Sequence, residues 1–283
     1  MSPARARAAA WLPFLRLVRL PACLSPAADV LAGACLQGEA WSFALARTLL
    51  ASALVYAAGM ALNDHADRHE DAVHRPERPL PRGEIRPGGA LGLGLGLLGL
   101  AIAVSAVPLV HAGLAVLVLF YDYVGKRTPW LAVPAMGLLR ALNLLSFPLG
   151  LTAVLTPALL IAATAYGIYI AGITLLGCSE DAPAPRRRVQ ALACIPPLAA
   201  ALGGWFAVGT LWPALAAAAF VPRILRLAAP TPAAIRALML PLLLGTLVYT
   251  GLLCLGVARY AEAAAILAAL PLARRLSRWI APT

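Results

Sequence analysis

Apolar runs long enough to cross a hydrocarbon core, roughly 17–25 residues, recur along this whole chain with short polar joints between them. They predict membrane-spanning helices near Trp11–Leu36, Trp41–Leu62, Gly88–Val107, Pro108–Val124, Leu131–Leu151, Pro157–Leu176, Val189–Val208, Leu211–Ala228 and Ile235–Val257. A shorter stretch, Tyr260–Ala273, predicts a re-entrant or interfacial helix. The first run follows Arg5 and Arg7, but it is longer than a signal-peptide core of about 7–15 residues, so it counts as a span. Pro134, Pro148 and Pro241 fall inside runs and predict bent helices, which bundled membrane segments tolerate.

Composition agrees with this pattern. Of 283 residues 61% are hydrophobic and 12% charged, against roughly 25% charged in a soluble domain, so no soluble domain is left over. The five cysteines have no Cys-x-x-Cys spacing and mostly lie in apolar runs, as buried small hydrophobes do. The net charge of +11 does not indicate nucleic acid, because the basic residues sort by joint rather than onto a recognition face. Arg68, Arg75, Arg78, Arg82 and Arg86 follow the second span, Lys126 and Arg127 the fourth, and Arg186, Arg187 and Arg188 the sixth. Arg223, Arg226 and Arg236 flank the eighth-to-ninth joint, whereas the alternate joints carry no basic residue. By the positive-inside rule the charged joints are cytoplasmic, with Arg47 and Arg259 fitting less well. The expected location is a bacterial inner membrane, with no protein partner evident.

One stretch breaks the apolar monotony. Leu62 to Ile85, "LNDHADRHEDAVHRPERPLPRGEI", holds six of the twelve acidic residues and three of the four histidines. Continued as a helix from the second span, it places Asn63, Asp64, Asp67 and Asp71 within about 100° of arc, on one acidic face. Such a face at a membrane boundary needs a cation. Its hard oxygen ligands suit Mg²⁺, which commonly bridges to substrate phosphates, although a solvated acidic turn has the same composition. His65 and His69 point away on the same wheel and lack a His-Glu-x-x-His pattern, which argues against zinc. Pro76, Pro79 and Pro81 exclude a helix beyond Asp71 and predict an extended loop folded back over the carboxylates. Arg75, Arg78 and Arg82 on that loop offer forked donors for phosphate, or serve only as inside-positive charges.

Two further clusters stand out. "YDYVGK" ends the fourth span with Lys126, the only lysine beside 22 arginines, and Tyr121 projects from the same helix end. A compact ammonium at that place suits a phosphate oxygen. In the fifth span, "GLLRALNLL" sets Arg140 and Asn143 at i, i+3, well inside the membrane, where an arginine faces a bundle interior or a cavity.

At these residues the sequence resembles the UbiA superfamily of intramembrane prenyltransferases. "NDHADRHED" looks like the superfamily's first aspartate motif on Asn63, Asp64, Asp67 and Asp71, and "RPERPLPRG", "YDYVGK" and "GLLRALNLL" match in place. The resemblance covers nearly the whole chain as a single domain, 1–283. It implies an all-α bundle of about nine transmembrane helices around a central, laterally open cavity. It also implies Mg²⁺-dependent ionisation of an isoprenyl diphosphate and transfer of the prenyl group to an aromatic or other lipophilic acceptor. The chain departs from the pattern after the sixth span, where "LLGCSEDAPAPRRR" puts Glu180 and Asp181 side by side in place of a second Asp-x-x-x-Asp motif. Either could still ligate metal. That departure, together with the Arg-Pro-x-Arg-Pro loop and the Arg140–Asn143 helix, resembles the EboC-like branch. The alternative is a non-catalytic membrane carrier of a lipophilic precursor with a degenerate second metal site. A secondary transporter ranks below both, since no internal repeat is visible.

Overall fold

Prolines and small polar residues decide where the helices begin. The structure, a computed structural model, describes residues 11–152, 154–180, 185–227 and 229–280. Among the described residues every regular element is helical: α1 (11–17), a 3₁₀ turn at Leu20–Cys23, α2 (Leu24–Gln37), α3 (Phe43–Ala66), α4 (Arg68–His74), α5 (Pro87–Val104), α6 (Pro108–Tyr123), a 3₁₀ turn at Gly125–Arg127, α7 (Pro129–Leu151), α8 (Pro157–Gly177), α9 (Arg186–Val208), α10 (Trp212–Ala218), α11 (Val221–Leu225), α12 (Pro232–Gly256) and α13 (Tyr260–Ile280). Helices α5, α6, α7, α8 and α12 start on proline, whose fixed φ suits a first turn and whose missing N–H is not needed there. Ser42, Thr156 and Thr231 cap α3, α8 and α12 by accepting the backbone N–H three residues on. Gly38 and Gly209, at φ 85° and 65°, close α2 and α9 in the left-handed conformation that glycine adopts freely.

Among the described residues eight helices are long and apolar enough to cross a membrane. Three predicted segments differ from expectation. Trp11–Leu36 is not one helix, because the chain turns at Arg19, φ 48°, and Pro21 restarts it, so the span runs from Leu20 to Gln37. Leu211–Ala228 is not one helix but two short ones, α10 and α11, because Pro213 and Pro222 each restart the chain; Ala228 lies outside the described residues. The pair still runs the length of the bundle. Pro213 packs at Gly204 near the end of α9, and the carbonyls of Ile224 and Leu225 accept from Gln190 and Arg186 at its start. Tyr260–Ala273, expected to be too short to span, continues to Ile280 as a 21-residue helix. It folds back along α12, with Gly251 against Leu267, until the Ile280 carbonyl accepts from Arg16. The apolar run stops at Arg274, but the helix does not, since basic residues suit the carbonyl end of a helix.

The alternating helices bring the charged joints to one end of the bundle. Arginines that fit the charge asymmetry poorly have local partners at the other end. Arg47 donates to the carbonyls of Val104 and Ser105 that α5 leaves open, at 2.7 and 3.0 Å. Arg259 donates to the Glu39 carbonyl at 2.6 Å.

Small residues let the helices close in. A Cβ on Gly33 of α2 would collide with the Leu144 carbonyl of α7, and Gly137 and Gly167 face each other where α7 meets α8. The core of the α7, α8, α9 and α12 group contains Tyr166 and Tyr169, which stack on Tyr249 with ring centroids 5.7 and 6.3 Å away. A second core joins α3, α5 and α6. Large apolar side chains such as Leu109 and Trp130 stand exposed on the outside, a surface that suits hydrocarbon and not water.

Candidate functional site

The α3 helix ends at Ala66, and Asp67 bridges it to α4 while its N–H and C=O keep the helical bonding pattern, to Asn63 and from Asp71. The expected single acidic face is therefore nearly continuous in backbone, but protein cations divide its side chains into two sets. Arg78 donates from one guanidinium nitrogen to Asp64 at 3.1 Å and to Asp71 at 2.6 Å. Arg19 adds a longer contact to Asp64, 3.5 Å, and Arg75 stands 4.0 Å from Asp71. Asp67 turns the other way, to the ammonium of Lys126 at 2.6 Å and the amide of Asn63 at 3.0 Å. Asp64 and Asp71 are 4% and 3% exposed, so without these cations they would be buried unpaired charges. Among the described residues no three acidic, histidine or cysteine side chains are gathered as a ready metal cage.

The loop after α4 is not extended. Its prolines forbid helix but permit turns, closed by Arg78 to Arg75, Arg82 to Arg78 and Gly83 to Leu80. These turns bury Leu80 and Ile85 against Leu17, Ala61 and Ala90, which pins the loop to the bundle and aims Arg78 at the carboxylates. Arg82 does not join them: it pairs with Glu84 at 3.1 Å and is half exposed. Glu180 also lies outside the cluster, with its carboxylate held by Arg236 from α12. Asp181 lies outside the described residues.

A cavity of about 230 Å³ opens beside this cluster between α3, α6 and α7. Asn63, Arg19, Tyr121 and Asp122 line one end; Ser52, Arg140 and Asn143 line the other. Val55, Leu114, Val118 and Leu139 line the stretch between them. From Asn63 to Ser52 along α3 the cavity measures about 16 Å at 1.5 Å per residue. Its shape suits a molecule with a charged head and an apolar body.

At the far end Arg140 and Asn143 meet a partner that the sequence reading overlooked. Asp29 of α2 is 0% exposed. It accepts from Tyr166 at 2.7 Å, from Asn143 at 2.9 Å and from Arg140 at 3.2 Å. Ser25 and Thr246 extend the network, and Ser52 donates to Asn143 at 2.6 Å. A carboxylate inside the first apolar run was the available signal, since an intramembrane acid requires a partner. Arg19 and Asp122 are the charged lining residues missed, although Asp122 stands within the "YDYVGK" segment.

Comparisons with known proteins bear on this arrangement. The chain is 38% identical over 120 residues to the digeranylgeranylglyceryl phosphate synthase of Ignicoccus hospitalis, an alignment covering 41% of this chain and 39% of that one. It is 44% identical over 61 residues to the bacteriochlorophyll synthase 33 kDa chain of Cereibacter sphaeroides, covering 22% of this chain and 20% of the other. The match to the first of these relatives thus spans about two-fifths of its length. Among solved structures, a UbiA homolog from Archaeoglobus fulgidus bound to DMAPP and Mg²⁺ superposes with a TM-score of 0.61 at 17% identity, over 90% of this chain and 99% of that one. A structure concerned with digeranylgeranylglyceryl phosphate synthase superposes with a TM-score of 0.60 at 16% identity, over 92% and 98%. These structures share the fold. The sequence model of the UbiA prenyltransferase family matches residues 27–282, and the chain belongs to that family.

Proposed function

We propose that the protein transfers a prenyl group from an isoprenyl diphosphate to a lipophilic acceptor within the membrane, with Mg²⁺ as cofactor. The observation that carries this reading is the joining, through Asn63 and Arg19, of the carboxylate cluster with its Arg78 and Lys126 to a cavity with an apolar middle.

The residues present fit Mg²⁺ by their chemistry. Asp64, Asp67 and Asp71, with the Asn63 amide, are hard oxygen donors beside a cavity, and Mg²⁺ is usually held by one or two carboxylates plus substrate phosphates rather than by an all-protein cage. When bound, it would neutralise charge developing on the diphosphate. The chain's own cations do related work. Arg78, Arg19 and Lys126 are the groups that can exchange a carboxylate oxygen for a diphosphate oxygen, and Arg75 stands behind them. Stabilising the leaving group in a water-poor site lowers the barrier to breaking the C1–O bond. The Val55, Leu114, Val118 and Leu139 lining receives the prenyl chain. Tyr121 shapes the charged end, and Arg140 and Asn143 shape the far one. Arg82 and Glu180, engaged elsewhere, are not in this set. The charged joints are assigned to the cytoplasmic side of a bacterial inner membrane.

A second reading has its own observation. Each first-motif carboxylate already holds a protein cation, and no three-ligand cage is formed among the described residues. This favours a carrier that binds a lipid diphosphate without cleaving it. Protein reconstituted in liposomes and given labelled geranyl diphosphate with Mg²⁺ separates the two: a transferase releases diphosphate, whereas a carrier binds the compound and returns it intact.

A further inference from the structure

Helix α6 presents one stripe to the cavity. Leu114, Val118 and Asp122 recur every four residues and line it; α6 ends at Tyr123, and Lys126, whose ammonium holds Asp67, stands in the 3₁₀ turn that follows. Asp122 lies in the last turn of α6, next to Val118 of the apolar lining and ahead of the turn that carries Lys126, at the border between the ionic cluster and the apolar lining. It is 4% exposed, and its Oδ2 is buried without a hydrogen-bond partner among the described residues. The other buried carboxylates behave differently: Asp64 and Asp71 share Arg78, and Asp29 is bonded by Tyr166, Asn143 and Arg140. A buried carboxylate oxygen with no donor costs stability, and its persistence beside a cavity calls for a ligand that supplies one.

The depth of Asp122 narrows what that ligand is. With a diphosphate at Lys126 and Arg78, the prenyl chain enters the apolar lining past Asp122, which sets that carboxylate beside its first carbon. Building on the transferase reading, we propose that Asp122 is the acceptor-binding catalytic residue, and that the acceptor attacks through a hydroxyl group. The hydroxyl donates its hydrogen bond to Asp122 Oδ2. As the C1–O bond to diphosphate breaks, the electron pair leaves with the diphosphate and the hydroxyl oxygen bonds to C1. The hydroxyl proton passes to Asp122, which returns it to water once product leaves.

Product partition tests this without the natural acceptor. Reconstituted full-length protein receives geranyl diphosphate, Mg²⁺ and either phenol or 1-octanol as the hydroxyl probe. Geranyl ether, geraniol from attack by water, and released diphosphate are each counted. Wild type is expected to form ether. Asp122→Asn is expected to lower the ether-to-geraniol ratio by about 10²-fold or more, the range of a positioned base. Asp122→Ala is expected to regain ether when formate is added, which a variant that merely misfolds would not do. An unchanged ratio in Asp122→Asn, no regain of ether by Asp122→Ala with formate, or no ether from wild type with either probe would overturn the assignment. Absence of diphosphate release from wild type would instead overturn the transferase reading on which it rests.

Discussion

Two ionic clusters lie at opposite ends of one cavity, and they differ in how tightly their charges are closed off. At the charged end the cations keep access to their surroundings, with side-chain exposures of 42% for Arg19, 17% for Arg78 and 18% for Lys126. At the far end Asp29 is fully buried, and Arg140 is 11% exposed and bonded to Ser25, Asp29 and Tyr166. The same pairing chemistry thus has two uses. The far network ties α2, α3, α7, α8 and α12 together, and losing one member strands the rest. The charged-end cluster is held mainly by α3, α4 and the turns behind them, and its cations can change partners when an anion arrives.

The sharpest way to break this comparison is to cut each cluster in turn. Asp29→Ala should have the largest effect on folding, because a buried pair missing one partner costs about 3–5 kcal/mol. Thermal unfolding in detergent should show it, and an unchanged midpoint would mean that the far network is not structural. Asp64→Asn or Asp71→Asn should instead leave unfolding much closer to wild type while lowering diphosphate release by roughly 10²–10³-fold, the range for removing one well-placed electrostatic group. Lys126→Arg should cost less, on the order of tenfold, with the loss measured as weaker affinity for geranyl diphosphate. Smallest is Glu180→Ala, since a pair whose arginine is 58% exposed contributes about 0–1 kcal/mol. Turnover should then stay unchanged, and a clear fall would return Glu180 to the ligand set.

These two regions were also unequally legible. The charged end was readable because Asn63, Asp64, Asp67 and Asp71 crowd a short polar stretch of a polar-poor chain, so their spacing and the lone Lys126 stand out. What could not be read was which cation meets which acid: Arg78 and Arg82 look alike in "RPERPLPRG", and only the turn that buries Leu80 and Ile85 sends one to the carboxylates and the other to Glu84. The far end was half readable. Arg140 signalled an intramembrane charge, but its partner lies 111 residues away, and pairing at that distance in sequence leaves no local pattern. The spans were legible from length and hydropathy, except where the turn at Arg19 broke the first run, where proline cut α10 from α11 and where α13 ran on past its apolar stretch through Arg274, Arg275 and Arg278.

On the transferase reading, the charged-end cluster is the place where a diphosphate is ionised. Release of diphosphate from geranyl diphosphate by reconstituted wild type and Asp67→Asn, each with and without Mg²⁺, tests it most directly. Wild type should release diphosphate only with Mg²⁺, and Asp67→Asn should fall by about 10²-fold or more while remaining folded. Equal release by the two proteins, or tight binding by wild type with no release in any condition, would contradict it.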